Sequence, residues 1–497
     1  MSTYKFLLGN FFWLTASRLI TKVVALFSLP IVTFYLSPKD FGIIAMFSVV
    51  QVFLSSFFCM GFVSYSGRVI YKYERVDKEE CKEYLGTIFF YIFLFSVFWS
   101  IPSAIFIKPL SVLLLGDMVF PSKYFYYVPI AMTFIMSIYG FSSNILLDLQ
   151  LNKRLFYLEM TQFILFLPAQ LIGLIYLKFT VWDVLILQLI VQIIIMFYGL
   201  WLTKDWLSFS VKKLKIFKEA MKYSLPMVPL NFAGWIQDRI DKVFLNRMIS
   251  IDSVGIYYAG VNVASQYSFL SRPISTTLKP EISKRLDSNA PNIQSDIKDL
   301  FMLFFQFSIF LYLAISLFSK EIVMILLNVR FHECYKIVLI FFLSIIFSEL
   351  TGIFHLKFIF KNKTIWFPIT LLLASALNIV MNLVLIPHYN IYGASLSKTL
   401  SELFVLFITY YISQRLHKSN YHLYQNFIPL GISIIIAFMV DLHKFRFWEF
   451  IVLKSIILIV YMAGFDYCLK KYNKIYNNLR GMFVLNALAF LRKNIER

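Results

Sequence analysis

Apolar segments of about 18–26 residues recur from one end of the chain to the other, and nothing constrains its fold more. At a rise of about 1.5 Å per residue, each is long enough to cross the roughly 30 Å hydrocarbon layer of a bilayer as a helix. Hydropathy predicts about 14 such helices. The first six are Phe11–Leu36, Phe41–Tyr65, Leu85–Ile107, Phe125–Leu147, Phe156–Leu177 and Val181–Leu202. Six more run Ser224–Leu245, Val254–Leu278, Leu300–Phe318, Ile337–Phe360, Ile365–Ile386 and Ile391–Ile412, before a last pair, Phe427–Val440 and Phe447–Tyr467. Continuous apolar runs of this kind exclude an outer-membrane barrel, whose strands alternate in polarity. With 59% hydrophobic and 15% charged residues and a mean hydropathy of +0.73, the chain is also too apolar for a soluble domain. The expected fold is an all-α polytopic membrane protein.

A net charge of +20 would suggest nucleic acid in a soluble protein, but the distribution of the charge excludes that here. With the N-terminus inside, about 30 basic residues fall on the cytoplasmic side and about 10 outside, which is the positive-inside asymmetry. Both termini are then cytoplasmic. The first segment, far longer than a signal-peptide core, reads as an uncleaved helix. Phe331-His332-Glu333-Cys334 lacks the second histidine of a zinc motif, and no phosphate-binding GxxxxGK[ST] loop is present. Neither a metal nor a cofactor is expected, and the chain reads as a transporter rather than an enzyme.

The two halves repeat. Ser37-Pro38-Lys39-Asp40-Phe41-Gly42-Ile43 joins helices one and two, and Ser250-Ile251-Asp252-Ser253-Val254-Gly255-Ile256 joins seven and eight. Each second helix leads into a basic segment, Arg68–Glu83 and Lys279–Lys298. This organisation predicts an N-terminal lobe over 1–202, a basic linker over 203–223 and a C-terminal lobe over 224–415. Two further helices follow in 424–468, then a basic tail over 469–497. Two pseudo-symmetric six-helix lobes around a central cavity are the architecture of transporters that rock about a midplane site.

Charges inside the apolar segments mark the candidate site, because an intramembrane charge is expensive and faces a cavity or a partner. In helix one, Arg18 and Lys22 are i,i+4 neighbours with no acid in reach on the same helix. Snorkelling to the interface is the structural alternative, harder for the deeper Lys22. Helix seven carries Asp238, Arg239, Asp241 and Lys242 within five positions. Asp238 and Lys242 stand in the favourable i,i+4 order and are expected to pair, leaving Arg239 and Asp241 without local partners. Arg272 precedes Pro273, whose missing N–H favours a kink, in helix eight. Trp235, one turn before Arg239, is a candidate platform for a sugar ring, with ordinary packing as the alternative. Lys398–Glu402 reads as a structural pair, Asn378 and Asn382 as glue between helices, and Glu159, Glu349 and Asp466 as single acids near helix ends or bundle seams.

Pro226-Met227-Val228-Pro229, followed by Asp238-Arg239 and then Gly255-Ile256-Tyr257-Tyr258-Ala259, resembles the polysaccharide flippases of the MOP (MATE-like) superfamily. Asn378–Pro387, continuing to Tyr392-Gly393-Ala394, and Leu326–Ile340 match the same family, closest to its Wzx-type O-antigen and capsule branch. The resemblance implies a translocase in the cytoplasmic (inner) membrane. Its cargo would be undecaprenyl-diphosphate-linked oligosaccharide, moved to the periplasmic leaflet by alternating access for polysaccharide biosynthesis. A lipid II flippase and a cation-coupled MATE-like exporter are the alternatives. The resemblance also implies a cationic cavity, for which Arg18, Lys22, Arg239, Lys242 and Arg272 are the diphosphate-binding candidates. Asp238 and Asp241 become candidates for ion pairing or for coupling to an H⁺ or Na⁺ gradient. A polysaccharide polymerase and a chain-length regulator are the expected partners beside the bilayer itself.

Overall fold

The computed structural model describes residues 13, 28–74, 76–116, 120–208, 214–268, 271, 282, 293–418, 421, 423–442 and 447–472. Among these residues there are 16 α-helices and no strands. In chain order they are α1 (Pro38–Phe58), α2 (Phe62–Tyr73), α3 (Lys78–Ile105), α4 (Ile107–Leu115), α5 (Val128–Asp148), α6 (Asn152–Ile175), α7 (Val181–Thr203) and α8 (Leu214–Ser224). They continue with α9 (Met227–Met248), α10 (Ile251–Ser265), α11 (Ile293–Leu317), α12 (Ser319–Leu326), α13 (Tyr335–Phe360), α14 (Trp366–Leu416), α15 (Leu423–Leu442) and α16 (Phe447–Tyr472). Eight described helical stretches are long and apolar enough to cross a membrane, and two shorter apolar stretches lie in α15 and α16. α9 is not among the eight, because its four clustered charges interrupt the apolar window. Most of the expected first helix lies outside the described residues, which are helical there over 28–35.

Two compact units divide the chain. The first comprises Met1–Ala259, Ile325–Glu333 and Ser375–Ala394. Local chemistry sets its helix starts. Pro38 occupies the first turn of α1, where its missing N–H costs nothing, and Ser37 and Asp40 form a reciprocal cap. The Asp40 carboxylate accepts from Ser37 N at 2.8 Å and from Ser37 Oγ at 2.7 Å. Thr180 and Asp183 repeat the device at α7. The expected second helix is broken after Phe58, where Met60 (φ 41°) and Gly61 (φ 78°) turn the chain into α2. A core of Phe62, Tyr65, Val69, Leu85, Ile88, Phe141 and their neighbours ties α2, α3, α5 and α8 together.

The second unit comprises Gly260–Met324, Cys334–Ala374 and Ser395–Arg497. Its centre is α13. The apolar window of that span is 72% buried, against 22% for the spans of α3 and α6 in the first unit, so α13 is an interior helix and those two are peripheral. Phe301, Phe304, Phe305, Tyr312, Phe342 and Phe354 fill the core around it. Gln306 Nε2 donates to Asn426 Oδ1 (3.2 Å), and a Lys454–Glu321 pair (2.7 Å) fixes α16 to α12. Lys398 and Glu402 form their expected pair at 3.1 Å. Glu349 accepts from Ser271 Oγ at 2.6 Å, and Asp466 pairs with Lys470.

α14 would be about 76 Å long if straight, more than twice the bilayer core. It bends at Asn390 (φ 50°, ψ −128°), in the gap between the expected segments Ile365–Ile386 and Ile391–Ile412. Asparagine tolerates positive φ better than most residues. Just beyond the bend, a Cβ at Gly393 would strike the Leu385 carbonyl, so the chain can fold back this tightly only with glycine there.

Candidate functional site

The charged cluster lies on α9, within the first unit, and α9 packs along α1. Trp235 and Arg239, one turn apart, both reach α1. The indole Nε1 donates to Val49 O at 3.0 Å, and the ring stacks on Phe232 (centroids 5.6 Å) and meets Phe53 edge-on (5.1 Å). At 4% exposure it is committed to packing in this conformation, and stacking on a sugar would require it to leave that seat. Arg239 is half-buried. Its Nη1 reaches Ser48 Oγ at only 3.5 Å, and its buried Nε has no hydrogen-bond partner among the described residues. A guanidinium carries five N–H donors in a planar fork. This one therefore keeps donors available for an anion.

The expected pairing within the cluster is corrected by the structure. Lys242 Nζ bonds Asp241 Oδ1 at 3.1 Å, and from Asp238 it takes the backbone carbonyl (3.3 Å). Asp241 is thus paired, contrary to the expectation. The reason is desolvation: Asp241 and Lys242 are 3% and 2% exposed, whereas the Asp238 side chain is exposed. A buried ammonium needs a desolvated carboxylate more than it needs ideal helical spacing. Lys242 N also donates to Asp241 Oδ1 (2.8 Å), and the hydroxyl of Tyr257, from α10, donates to Oδ2. The Tyr257 ring lies 5.4 Å from Lys242 Nζ. Asp241 and Lys242 cancel in charge, which leaves the half-buried Arg239 as the cation of the cluster, with the exposed Asp238 carboxylate next to it in the chain. Tyr257 belongs to the Gly255–Ala259 motif, but its partner lies 16 residues upstream, beyond any helical spacing rule.

The last turn of α9 closes another end. Asn246 Nδ2 donates to Leu115 O (2.7 Å), Arg247 Nε and Nη2 donate to Leu113 O (3.0 and 2.8 Å), and Nη2 also reaches Val112 O. These carbonyls end α4 and have no partner within their own helix, so α9 supplies the missing donors. Nearby, the repeated motifs meet. A Cβ at Gly255 would collide with the Pro38 carbonyl, and one at Gly42 with the Ile251 carbonyl. The two glycines let the matching connections of the two halves cross backbone against backbone. Phe41 packs edge-on against Phe331 (5.0 Å), and Thr33 Oγ1 accepts from Asn328 N (3.2 Å), which seats part of the 326–340 motif on the same unit. Asn382 Nδ2 bonds Asn378 Oδ1 at 2.6 Å, and Ser375 Oγ donates to Ala233 O (2.8 Å), joining α14 to α9. Arg18, Lys22 and Arg272 lie outside the described residues.

Two family models match more than half of the chain each: "Polysaccharide biosynthesis protein" over residues 7–286 and "Lipid II flippase MurJ" over 156–484. The chain belongs to the MOP superfamily of transporters and flippases. No curated protein is matched by the sequence. Among solved structures, the lipid II flippase MurJ in an inward closed conformation aligns with 16% identity over 92% of this chain and 99% of that one, at a TM-score of 0.71. An inward-facing multidrug resistance MATE family transporter of the superfamily aligns at 12% identity over 82% and 99%, with a TM-score of 0.60. The Vibrio cholerae MATE transporter VcmN in its bent form gives 12% identity over 84% and 98%, with a TM-score of 0.55. At such identities the likeness establishes the fold: this multi-pass chain shares the MurJ and MATE architecture.

Proposed function

We propose that the protein flips undecaprenyl-diphosphate-linked oligosaccharide units across the cytoplasmic membrane by alternating access, for O-antigen or capsule assembly, with both termini cytoplasmic. The observation that carries this reading is Arg239. It is a half-buried cation on α9, beside a carboxylate–ammonium pair that cancels itself, and among the described residues its Nη1 meets no more than the 3.5 Å contact to Ser48. A diphosphate is the anion such a fork suits, since arginine grips phosphate through two parallel bonds. Arg18, Lys22 and Arg272 would supply further steps of a cationic path. Lys242 contributes by neutralising Asp241 rather than by facing cargo. Asp241 remains the candidate for coupling to an H⁺ or Na⁺ gradient, since its protonation would free Lys242. A polymerase and a chain-length regulator would receive the product.

A lipid II cargo is the second reading, favoured by the MurJ family match over residues 156–484. One experiment separates the two. On depletion, lipid-linked repeat units should accumulate on the cytoplasmic leaflet while peptidoglycan synthesis and viability persist. Accumulation of lipid II with lysis would replace the first reading by the second, and unchanged levels of both lipids would refute each.

A further inference from the structure

Two short helices of the first unit do not span. α8 places Ile216, Ala220 and Ser224 at i, i+4 and i+8, all buried, and the Phe217 ring lies 4.5 Å from that of Tyr91. The opposite face carries Lys215, Lys218 and Lys222, all exposed, at the i, i+3, i+7 spacing of one helical stripe. The one acid of α8, Glu219, neighbours Lys215 and Lys222 at i,i+4 and i,i+3 spacing and accepts from the Tyr65 hydroxyl of α2 at 3.4 Å, so the three lysines outnumber it on that face. α2 packs beside α8 and exposes Arg68 and Lys72, with Arg68 over the Tyr223 ring (5.5 Å). Between them Tyr71 is 93% exposed. A basic stripe with an aromatic side chain in its midst, backed by an apolar face, is the pattern of a helix lying in a membrane interface.

The surroundings place the pair at that level. Where α7 ends, Trp201 is 58% exposed, stacks on Tyr198 and has Lys204 Nζ 5.5 Å from its ring. Trp206 follows with Lys78 at 4.7 Å. Tryptophan with lysine at a helix end marks the headgroup region. The chain is pinned there, because Ser208 N donates to Lys82 O (3.2 Å) and a Cβ at Gly86 would strike the Ser208 carbonyl. α8 begins a few residues later, and only Leu225 and Pro226 separate it from α9.

We infer that the α2–α8 pair is a docking surface for the headgroups of anionic phospholipids in the adjoining leaflet, with Lys215, Lys218, Lys222, Arg68 and Lys72 as the contact cations. The bilayer is the partner already at this level, and its anionic headgroups complement the stripe. Headgroups bound there would hold α8 down and fix the entry of α9 into the membrane. This surface is separate from the Arg239 site and does not depend on which lipid-linked cargo is moved.

The test uses the purified full-length chain in mixed micelles of phosphatidylglycerol and phosphatidylcholine, with lipid retention read by native mass spectrometry. A lysine at an anionic surface changes partitioning about fivefold, so the K215Q/K218Q/K222Q variant should lose at least about tenfold of the phosphatidylglycerol preference. High salt should weaken the wild-type preference. A K361Q/K363Q variant, altering exposed lysines between α13 and α14, should keep it. If the triple variant folds poorly, Lys218→Gln alone should still lose several-fold. Retention of phosphatidylglycerol by these α8 variants, an equal loss in the K361Q/K363Q control, or displacement of the lipid by inorganic phosphate at the same concentration would overturn the assignment.

Discussion

Replacing Gly255 by alanine tests whether the two repeated motifs are locked backbone against backbone. The added methyl would lie 2.7 Å from Pro38 C and 2.9 Å from Gly42 N, besides colliding with the Pro38 carbonyl oxygen. All of these are backbone atoms, which cannot rotate away, so the two connections must part by roughly 1.5 Å to restore van der Waals contact. Overpacking of this kind costs about 1–3 kcal/mol, against which a helical Gly→Ala change returns about 0.5–1 kcal/mol. Gly255→Ala should therefore destabilise by about 1–2 kcal/mol. Gly42→Ala, facing Ile251 C at 3.0 Å and the carbonyl oxygen more closely, should do likewise. Both methyls push the same two segments apart, so the double variant should cost less than the sum, with a coupling of at least about 0.5 kcal/mol. Gly234 in α9 has nothing within 4 Å of a built Cβ, and Gly234→Ala should stabilise by about 0.5–1 kcal/mol. Unfolding midpoints in one detergent, measured for the three single variants and the Gly42/Gly255 double, decide the matter. Additive losses at 42 and 255, or a gain at 255 equal to that at 234, would refute the crossing.

Arg239→Ala should abolish surface polysaccharide while the protein still inserts, and Arg239→Lys should restore little, because an ammonium cannot reproduce the fork. Thermal stability should barely change in either variant, since among the described residues the Arg239 side chain is held by no more than a 3.5 Å contact to Ser48; a large stability loss would mean that Arg239 is structural. Lys242→Met leaves the buried Asp241 carboxylate without its ammonium and should cost about 3–5 kcal/mol, much of it recovered in D241N/K242M. An unrecovered double variant would argue that Tyr257 and the surrounding packing, not charge pairing, hold this spot. At the end of α14, His417 is held below its ordinary value by burial and then by the charges of Lys357 and Lys361. Its neutral form is favoured when folded, so its contribution is complete above the unfolded value near 6.5 and is lost as the pH falls through the folded one. His417→Asn should flatten the stability profile below neutrality; an unchanged profile would dismiss this histidine as the titrating group. Ser37→Ala removes the cap of α1 and should cost about 1 kcal/mol, read as a lower unfolding midpoint.

Segment length and hydropathy are local quantities judged against a solvent of known thickness, which is why so many spans could be read from the amino-acid order alone. The break between the halves of α14 and the paired Gly42 and Gly255 connections were legible for the same reason: turn chemistry and repetition are written in neighbouring residues. What no spacing rule contained was the choice among partners. Lys242 had one carboxylate at the favoured i,i+4 position and another beside it, and only the fold revealed that Asp238 stays exposed while Asp241 is desolvated. Trp235 looked available until Val49, Phe53 and Phe232 were seen around it. Arg239 was visible as a charge without a local acid, but its weak tie to Ser48, 191 residues away, and an Nε without a partner among the described residues belong to tertiary structure. A chain order determines which residues enter the membrane; which of them lose water against one another, and so must pair, is decided only when the helices are packed.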